Sequence, residues 1–290
     1  MPQFQHDGFA KSYLTELLNT IGKAVPNRRI KSEEREADLW FELNPAAGEQ
    51  RRELGLLGML LTRDALIEVF RNPATAREIR ACQGKLFDLE AEFIRRSKQR
   101  QQTIEESRLP YLWLIMPSAS QALRSGFGMV AATRMDSAEV LPGVYEFPRL
   151  DRTGLIVVHQ LPKTEETLWL RILGRAGNQR QAIAEFTRRS NDNDLYATIE
   201  ELIADYRTKL ENLGRQLTEE DEELIMNLSE AYLKRRQEWR QEGIQENQQS
   251  TAVAALREGF SVEVIMRLTG LSRERIEQLR EGLESQGGGV

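Results

Sequence analysis

The sequence predicts an α/β protein with a mixed sheet flanked by helices, followed by a helical C-terminal region. Three observations carry this. Short apolar runs of strand character alternate with amphipathic helical stretches through the first half. One run, Tyr111 to Met116, is apolar throughout, as a central strand covered on both faces must be. From about Asn178 the composition turns to nearly continuous helix, with Glu185, Glu200, Glu201 and Glu211 set among basic residues.

The elements follow in order. Asp7 is placed to cap a helix from Gly8 to about Ile21, whose Phe9, Tyr13, Leu14, Leu17, Leu18 and Ile21 share one face. Glu16 lies beside that face. Residues 24–31 read as a basic edge strand. In residues 36–43, Leu39, Phe41 and Leu43 alternate with Asp38, Trp40 and Glu42, a strand pattern broken by Asn44-Pro45. Residues 49–62 read as one short helix and Leu66 to Phe70 as the next strand. Thr75 can cap a long helix to about Gln101, buried along Ile79, Cys82, Leu86, Leu89, Phe93 and Ile94. Its Arg77, Arg80, Lys85, Arg95, Arg96, Lys98 and Arg100 make it the most basic element. A helix with Ala122 and Leu123, a run Val144 to Phe147, a strand Leu155 to Val158 and a helix from Thr164 to Leu173 complete the α/β part. Residues 218–249 read as one long polar helix, a spacer or association surface rather than core. The expected organisation is an α/β domain over 1–175, a helical region over 176–249, a small helix-turn-helix-like unit over 250–285 and a disordered tail over 286–290.

Composition narrows the function. The chain has 290 residues, 40% of them apolar, so a sizeable core is available. A net charge of −5 gives no global basic signal, and any nucleic-acid contact has to use a local patch. The single cysteine, Cys82, excludes a disulfide framework and a Cys-based zinc site. The N-terminus lacks a signal-peptide pattern and no apolar run approaches a transmembrane span, so the expectation is a cytoplasmic protein without membrane contact. His6 and His159 are the only histidines, and His159 reads as a structural residue in an apolar strand. No Ser-His-Asp, Cys-His or phosphate-loop pattern is present.

Two acids stand in neighbouring strand patterns, Asp38 and Glu68, and the helix after the second carries Lys85. Two strand carboxylates and a nearby lysine can form a metal-dependent hydrolytic site. They can equally be three surface charges, with Lys85 snorkelling along an amphipathic helix. At the C-terminus, Thr269-Gly270-Leu271 separates a helix started by Ser261 from one started by Ser272, which is a helix-turn-helix layout. The second helix would project Arg273, Arg275 and Gln278. Four arginines meet four glutamates across 261–283, so a helical cap or dimerisation element fits these residues as well as a DNA reader does.

Several segments resemble the PD-(D/E)XK (restriction-endonuclease-like) superfamily. Among its members they resemble the cyanobacterial nuclease-like transposase group, relatives of the recombination-promoting nucleases. The carrying segments are Phe9-Ala10-Lys11-Ser12-Tyr13-Leu14-Thr15-Glu16-Leu17-Leu18, Glu36-Ala37-Asp38-Leu39-Trp40-Phe41, Leu56-Leu57-Gly58, Phe70-Arg71-Asn72-Pro73 and Leu161-Pro162-Lys163-Thr164-Glu165-Glu166-Thr167-Leu168-Trp169-Leu170. The resemblance spans most of residues 6–240 and implies a restriction-endonuclease-like sheet. It places Asp38 and Glu68 as Mg²⁺ (or Mn²⁺) ligands, with Glu16 as a further carboxylate. The superfamily's lysine two residues after the glutamate is replaced here by Phe70. In some members that lysine has moved to the following helix, where Lys85, or less well Gln83, stands. The implied function is a Mg²⁺-dependent, transposase- or recombination-associated DNA endonuclease. The alternative is a catalytically inactive nuclease-fold protein serving as an interaction or DNA-binding module. The expected partners are DNA and a second copy of the chain, joined through the helical C-terminal region.

Overall fold

In the computed structural model the described residues are 2–30, 35–101, 103–134, 137–188, 194–212, 244–245 and 247–287. The chain divides into a unit over Met1–Tyr232 and a second over Leu233–Val290.

The first unit is built on a seven-stranded mixed sheet of order β1-β2-β3-β4-β7-β6-β5. These are β1 (Gly22–Ile30), β2 (Arg35–Leu43), β3 (Ala65–Val69), β4 (Tyr111–Met116), β5 (Val130–Thr133), β6 (Val140–Glu146) and β7 (Thr153–Val157). β3, β4 and β7 run parallel in the centre, and β1–β2–β3 and β5–β6–β7 are antiparallel. The uniformly apolar β4 is central, as its composition requires.

Among the described residues of the first unit, eight α-helices accompany the sheet. α1 (Pro2–Asn19), α2 (Gly48–Glu53), α3 (Gly55–Leu60), α4 (Ala76–Gln99) and α5 (Gln121–Gly126) come first, then α6 (Leu168–Arg171), α7 (Ala176–Thr187) and α8 (Asp194–Glu211). On one side of the sheet, Leu39, Phe41, Ile67, Trp113 and Ile156 pack with α1, α3 and α6 to α8. On the other, Trp40, Leu66, Leu112, Leu114 and Leu155 pack under the Ile79, Cys82, Leu86 and Leu89 stripe of α4. Trp40 is buried on this side, in an edge contact with Phe93. The composition shift near Asn178 does not end the core. Phe186, Ile199, Ile203 and Tyr206 of α7 and α8 belong to it, and Phe9 stacks on Tyr206 at 4.5 Å. The Tyr13 hydroxyl donates to the Trp169 carbonyl at 2.8 Å, tying α1 to α6.

Local chemistry sets the boundaries. α4 starts in a capping box: the Thr75 side chain accepts from the Glu78 N–H, and Glu78 accepts from the Thr75 N–H at 2.7 Å. Several expectations are corrected. α1 begins at Pro2, so Asp7 lies inside the helix instead of capping it. Residues 49–62 form two helices, because the chain turns at Gly55 with φ +54°. Thr164 does not cap with its side chain; residues Glu165–Thr167 form a 3₁₀ turn before α6. His159 sits exposed in the 3₁₀ turn Val158–Gln160, past the end of β7. The short edge strand β5 carries no strand signal in its sequence, Val-Ala-Ala-Thr. Most of the expected long helix over 218–249 lies outside the described residues.

Gly55 gives a stability prediction. A Cβ there would stand 2.3 Å from the Glu166 carbonyl oxygen, at a φ that disfavours any L side chain. Gly55→Ala should destabilise the first unit by about 2 kcal/mol or more, read as a lowered urea midpoint.

The second unit holds a helical segment over 247–257, α9, followed by α10 (Val262–Thr269) and α11 (Arg273–Gly287). Ala252, Ala255, Ile265 and Ile276 form its core. Gly270, at φ +72°, ends α10 in a left-handed cap, its N–H donating to the Met266 carbonyl at 2.9 Å. Ser272 caps α11 through a bond from the Arg275 N–H. Ser261 occupies the N-cap position of α10, but its side chain makes no capping bond. The helix continues through Gly287, so Gln286 and Gly287 are helical rather than a tail.

Candidate active site

The β1–β2–β3 register aligns three side chains in a row. Pro26 pairs with Leu39 and Arg28 with Ala37, which sets Asn27 opposite Asp38. Leu39 pairs with Ile67, and one step further Asp38 faces Glu68. Residues opposite one another on antiparallel strands share a face, with Cβ atoms about 5 Å apart. The β2–β3 backbone ladder stops at Leu39–Ile67, where the Asp38 side chain takes over: its Oδ2 accepts from the Val69 N–H at 3.2 Å. This orients the carboxylate toward β3.

Glu68 is 4% exposed. It shares the sheet face of Leu66, under α4, where Lys85 follows Cys82 by one helical turn. The Lys85 Nζ donates to both Glu68 oxygens, at 2.8 and 2.9 Å. Position 70, two residues on from Glu68, points to the same face and holds Phe70, packed against the α4 core. The ammonium thus reaches the acid from the helix above instead of from the strand.

The electrostatics follow from burial. Burial pushes the Glu68 carboxyl up to about 7, the Asp38 charge adds to the shift, and Lys85 and the Asp38 backbone oppose it. For Lys85, burial works against the charge, but Glu68 outweighs it and holds the ammonium above its ordinary range. Burial, then the charge of Glu68, pushes the Cys82 thiol well up, so it stays neutral and is no nucleophile.

The sign of the pH effect is fixed by this shift. Because the folded Glu68 carboxyl titrates above its ordinary 4.5, its contribution to stability is complete below that value and is lost as pH rises through about 7. In EDTA, the wild type should lose up to about 3 kcal/mol relative to Glu68→Gln between pH 4 and pH 8. Urea unfolding of both proteins across that range reads the difference directly; parallel curves would contradict it.

Of the residues expected at the site, Asp38, Glu68 and Lys85 come together. Glu16 is half-buried on α1, and no three His, Cys, Asp or Glu side chains converge as a metal-holding group among the described residues. The carboxylate set at this row is thus a pair. A pair fits Mg²⁺, which takes one or two protein carboxylates and completes its shell with water and phosphate oxygens. A divalent cation there would also relieve the repulsion from Asp38 that adds to the effect of burial on Glu68.

Two members of the cluster were not anticipated. The Lys11 Nζ lies 3.2 Å from Asp38 Oδ1 and donates to Asn27 Oδ1 at 2.9 Å. Asn27 has φ +51° within β1. The available signal was the Pro26-Asn27 step in a strand, since asparagine tolerates the left-handed region better than most residues.

Residues 245–281 match the family model described as the Rpn/YhgA-like nuclease family, C-terminal HTH domain. No curated protein and no solved structure matches the chain. No helix among the described residues is long and apolar enough to cross a membrane. The second unit is therefore similar, in sequence and in its helix-turn-helix layout, to the C-terminal HTH domain of Rpn/YhgA-like nucleases.

Proposed function

We propose that this chain is a Mg²⁺-dependent, transposase- or recombination-associated DNA endonuclease of the PD-(D/E)XK kind. The observation that carries the reading is the juxtaposition of Asp38 and Glu68 on one sheet face with Lys85 on Glu68. The similarity of the second unit to a nuclease family's HTH domain supports DNA as the partner. Asp38 and Glu68 would hold the cation, which supplies Lewis-acid polarisation of a phosphodiester and a lowered pKa for bound water. Asp38 is oriented for this by the Val69 N–H. Lys85, kept protonated beside Glu68, offsets negative charge gathering on the phosphate oxygens. Arg77 and Arg80, exposed near the start of α4, are candidates for contacts to the DNA backbone, making binding salt-dependent.

A second reading has its own observation: each carboxylate already has a lysine, and Phe70 fills the usual lysine place. That would suit a catalytically inactive nuclease fold acting as a DNA-binding or interaction module. Incubating supercoiled plasmid with the full chain in Mg²⁺ or in EDTA separates the two. Nicked or linear product only with the cation supports the nuclease; intact plasmid across varied DNA substrates supports the inactive module.

A further inference from the structure

A second polar site lies on the other face of the sheet. Gly154 of β7 pairs with Trp113 of β4 on one side and with Glu146 of β6 on the other. Trp113, Glu146 and Tyr111, two residues before Trp113, therefore share one face. Glu68 pairs with Leu114, next to Trp113, and points to the opposite face. A Cβ on Gly154 would stand 2.2 Å from the Trp113 ring, so the ring lies over bare backbone, toward Glu146. Tyr111 tilts against it at 5.0 Å. Above these rings is a cavity of about 250 Å³, walled by Leu60 of α3 and Leu141 of β6.

The charged groups of this cavity are Arg63, Arg134 and Glu146. Arg134 is spent on Glu166, at 3.0 and 3.1 Å. Arg63 sits over the Tyr111 ring, 6.0 Å from its centre, and neither Arg63 nor Glu146 makes an ion pair or side-chain hydrogen bond among the described residues. The Trp113 indole N–H also has no acceptor there, although Trp113 is only 6% exposed. Burial, and after it the Glu146 charge, pushes the Tyr111 hydroxyl up, so it stays a neutral donor. Arg63, Tyr111 and Glu146 are shared with an adjoining cavity of about 640 Å³, which the exposed Arg149 also lines.

A ligand that satisfies this site is planar. It gives acceptors to Arg63 and at least two donors to the Glu146 carboxylate. Guanine does so: O6 and N7 accept side by side from a guanidinium, and N1–H and the 2-amino group serve both carboxylate oxygens. Adenine lacks the carbonyl, and thymine and uracil present a single N–H. We propose that this cavity binds a guanine base carried on a nucleotide. Glu146 and Arg63 read its edges, Tyr111 supplies an aromatic surface for its ring, and Arg149 meets the phosphate. The base comes from a free nucleotide or from an unpaired strand. The site shares no residue with the Asp38–Glu68 pair and does not rest on the nuclease reading.

The test uses the full chain in EDTA, which prevents metal-dependent cleavage. Calorimetry with GMP, IMP and AMP probes the free nucleotide. Anisotropy with a single-stranded oligonucleotide carrying one guanine, or adenine in its place, probes the strand. GMP should bind about tenfold tighter than IMP, which lacks the 2-amino group, and about a hundredfold tighter than AMP. Glu146→Gln should weaken GMP binding about thirtyfold and nearly abolish the preference over IMP, with an unchanged urea unfolding curve, since Glu146 is exposed. Arg63→Gln should weaken GMP binding about tenfold. A guanine preference seen only with the oligonucleotide, and lost in Glu146→Gln, supports the site with the strand as its source. Equal binding of GMP and AMP, a guanine preference that survives Glu146→Gln, or no binding of either probe overturns the proposal. Asp38→Asn should leave GMP binding unchanged; its loss there would place the nucleotide at the carboxylate pair instead.

Discussion

Asp38→Asn should lower Mg²⁺-dependent plasmid cleavage by about a thousandfold, the scale of losing a principal electrostatic contribution at a reacting centre. The substitution is nearly isosteric. An asparagine carbonyl can still accept the Val69 N–H that Asp38 accepts at 3.2 Å, so β2 and β3 stay joined. What disappears is the charge that draws the cation. Stability should change by no more than about 1 kcal/mol, the scale of the ion pair lost to Lys11. Activity loss with an unchanged unfolding curve therefore separates a chemical role from a structural one. Cleavage that survives the substitution would remove Asp38 from the site.

The second large effect belongs to Lys85. Lys85→Met leaves Glu68, buried at 4% exposure, without the ammonium that holds both of its oxygens. Breaking a buried pair in this way costs about 3 kcal/mol when the remaining group stays charged. Glu68 escapes part of that cost by taking up a proton. In the wild type its carboxyl already titrates at about 7, and losing Lys85 removes an influence that lowers it. The stability lost on ionisation is thus lost at higher pH in the variant, and the penalty is largest in alkaline buffer and small near pH 5. Pairing the change with Glu68→Gln should restore stability at pH 8 while leaving cleavage about a hundredfold or more below wild type. A stability loss in Lys85→Met that is equal at pH 5 and pH 8 would mean that Glu68 does not set it.

These effects rest on features that differ in how far the sequence discloses them. The acids were legible because each sits within a strand pattern, and strands of period two fix which side chains share a face. Lys85 was legible because it follows Cys82 by one turn on the buried stripe of α4. The Asp38–Glu68 alignment depends on register, which the tertiary pairing sets. Lys11 was hidden for a stronger reason. Its helix packs on the other side of the sheet, and its contacts with Asp38 and Asn27 are set by tertiary packing that no local pattern discloses. Glu16 entered by resemblance, and the carboxylates that this row places together are Asp38 and Glu68. In the fold, the central strands follow from apolar content, whereas β5 has only four residues and takes its place by pairing with β6.

The central claim is that Asp38 and Glu68 form one divalent-cation site. Anomalous scattering from crystals of the full chain soaked in Mn²⁺ tests it most directly. The expected result is a peak at Asp38 and Glu68, with metal–oxygen distances of about 2.1 Å. A crystal whose carboxylates stay on Lys11 and Lys85 at saturating Mn²⁺, with no peak between them, would contradict it.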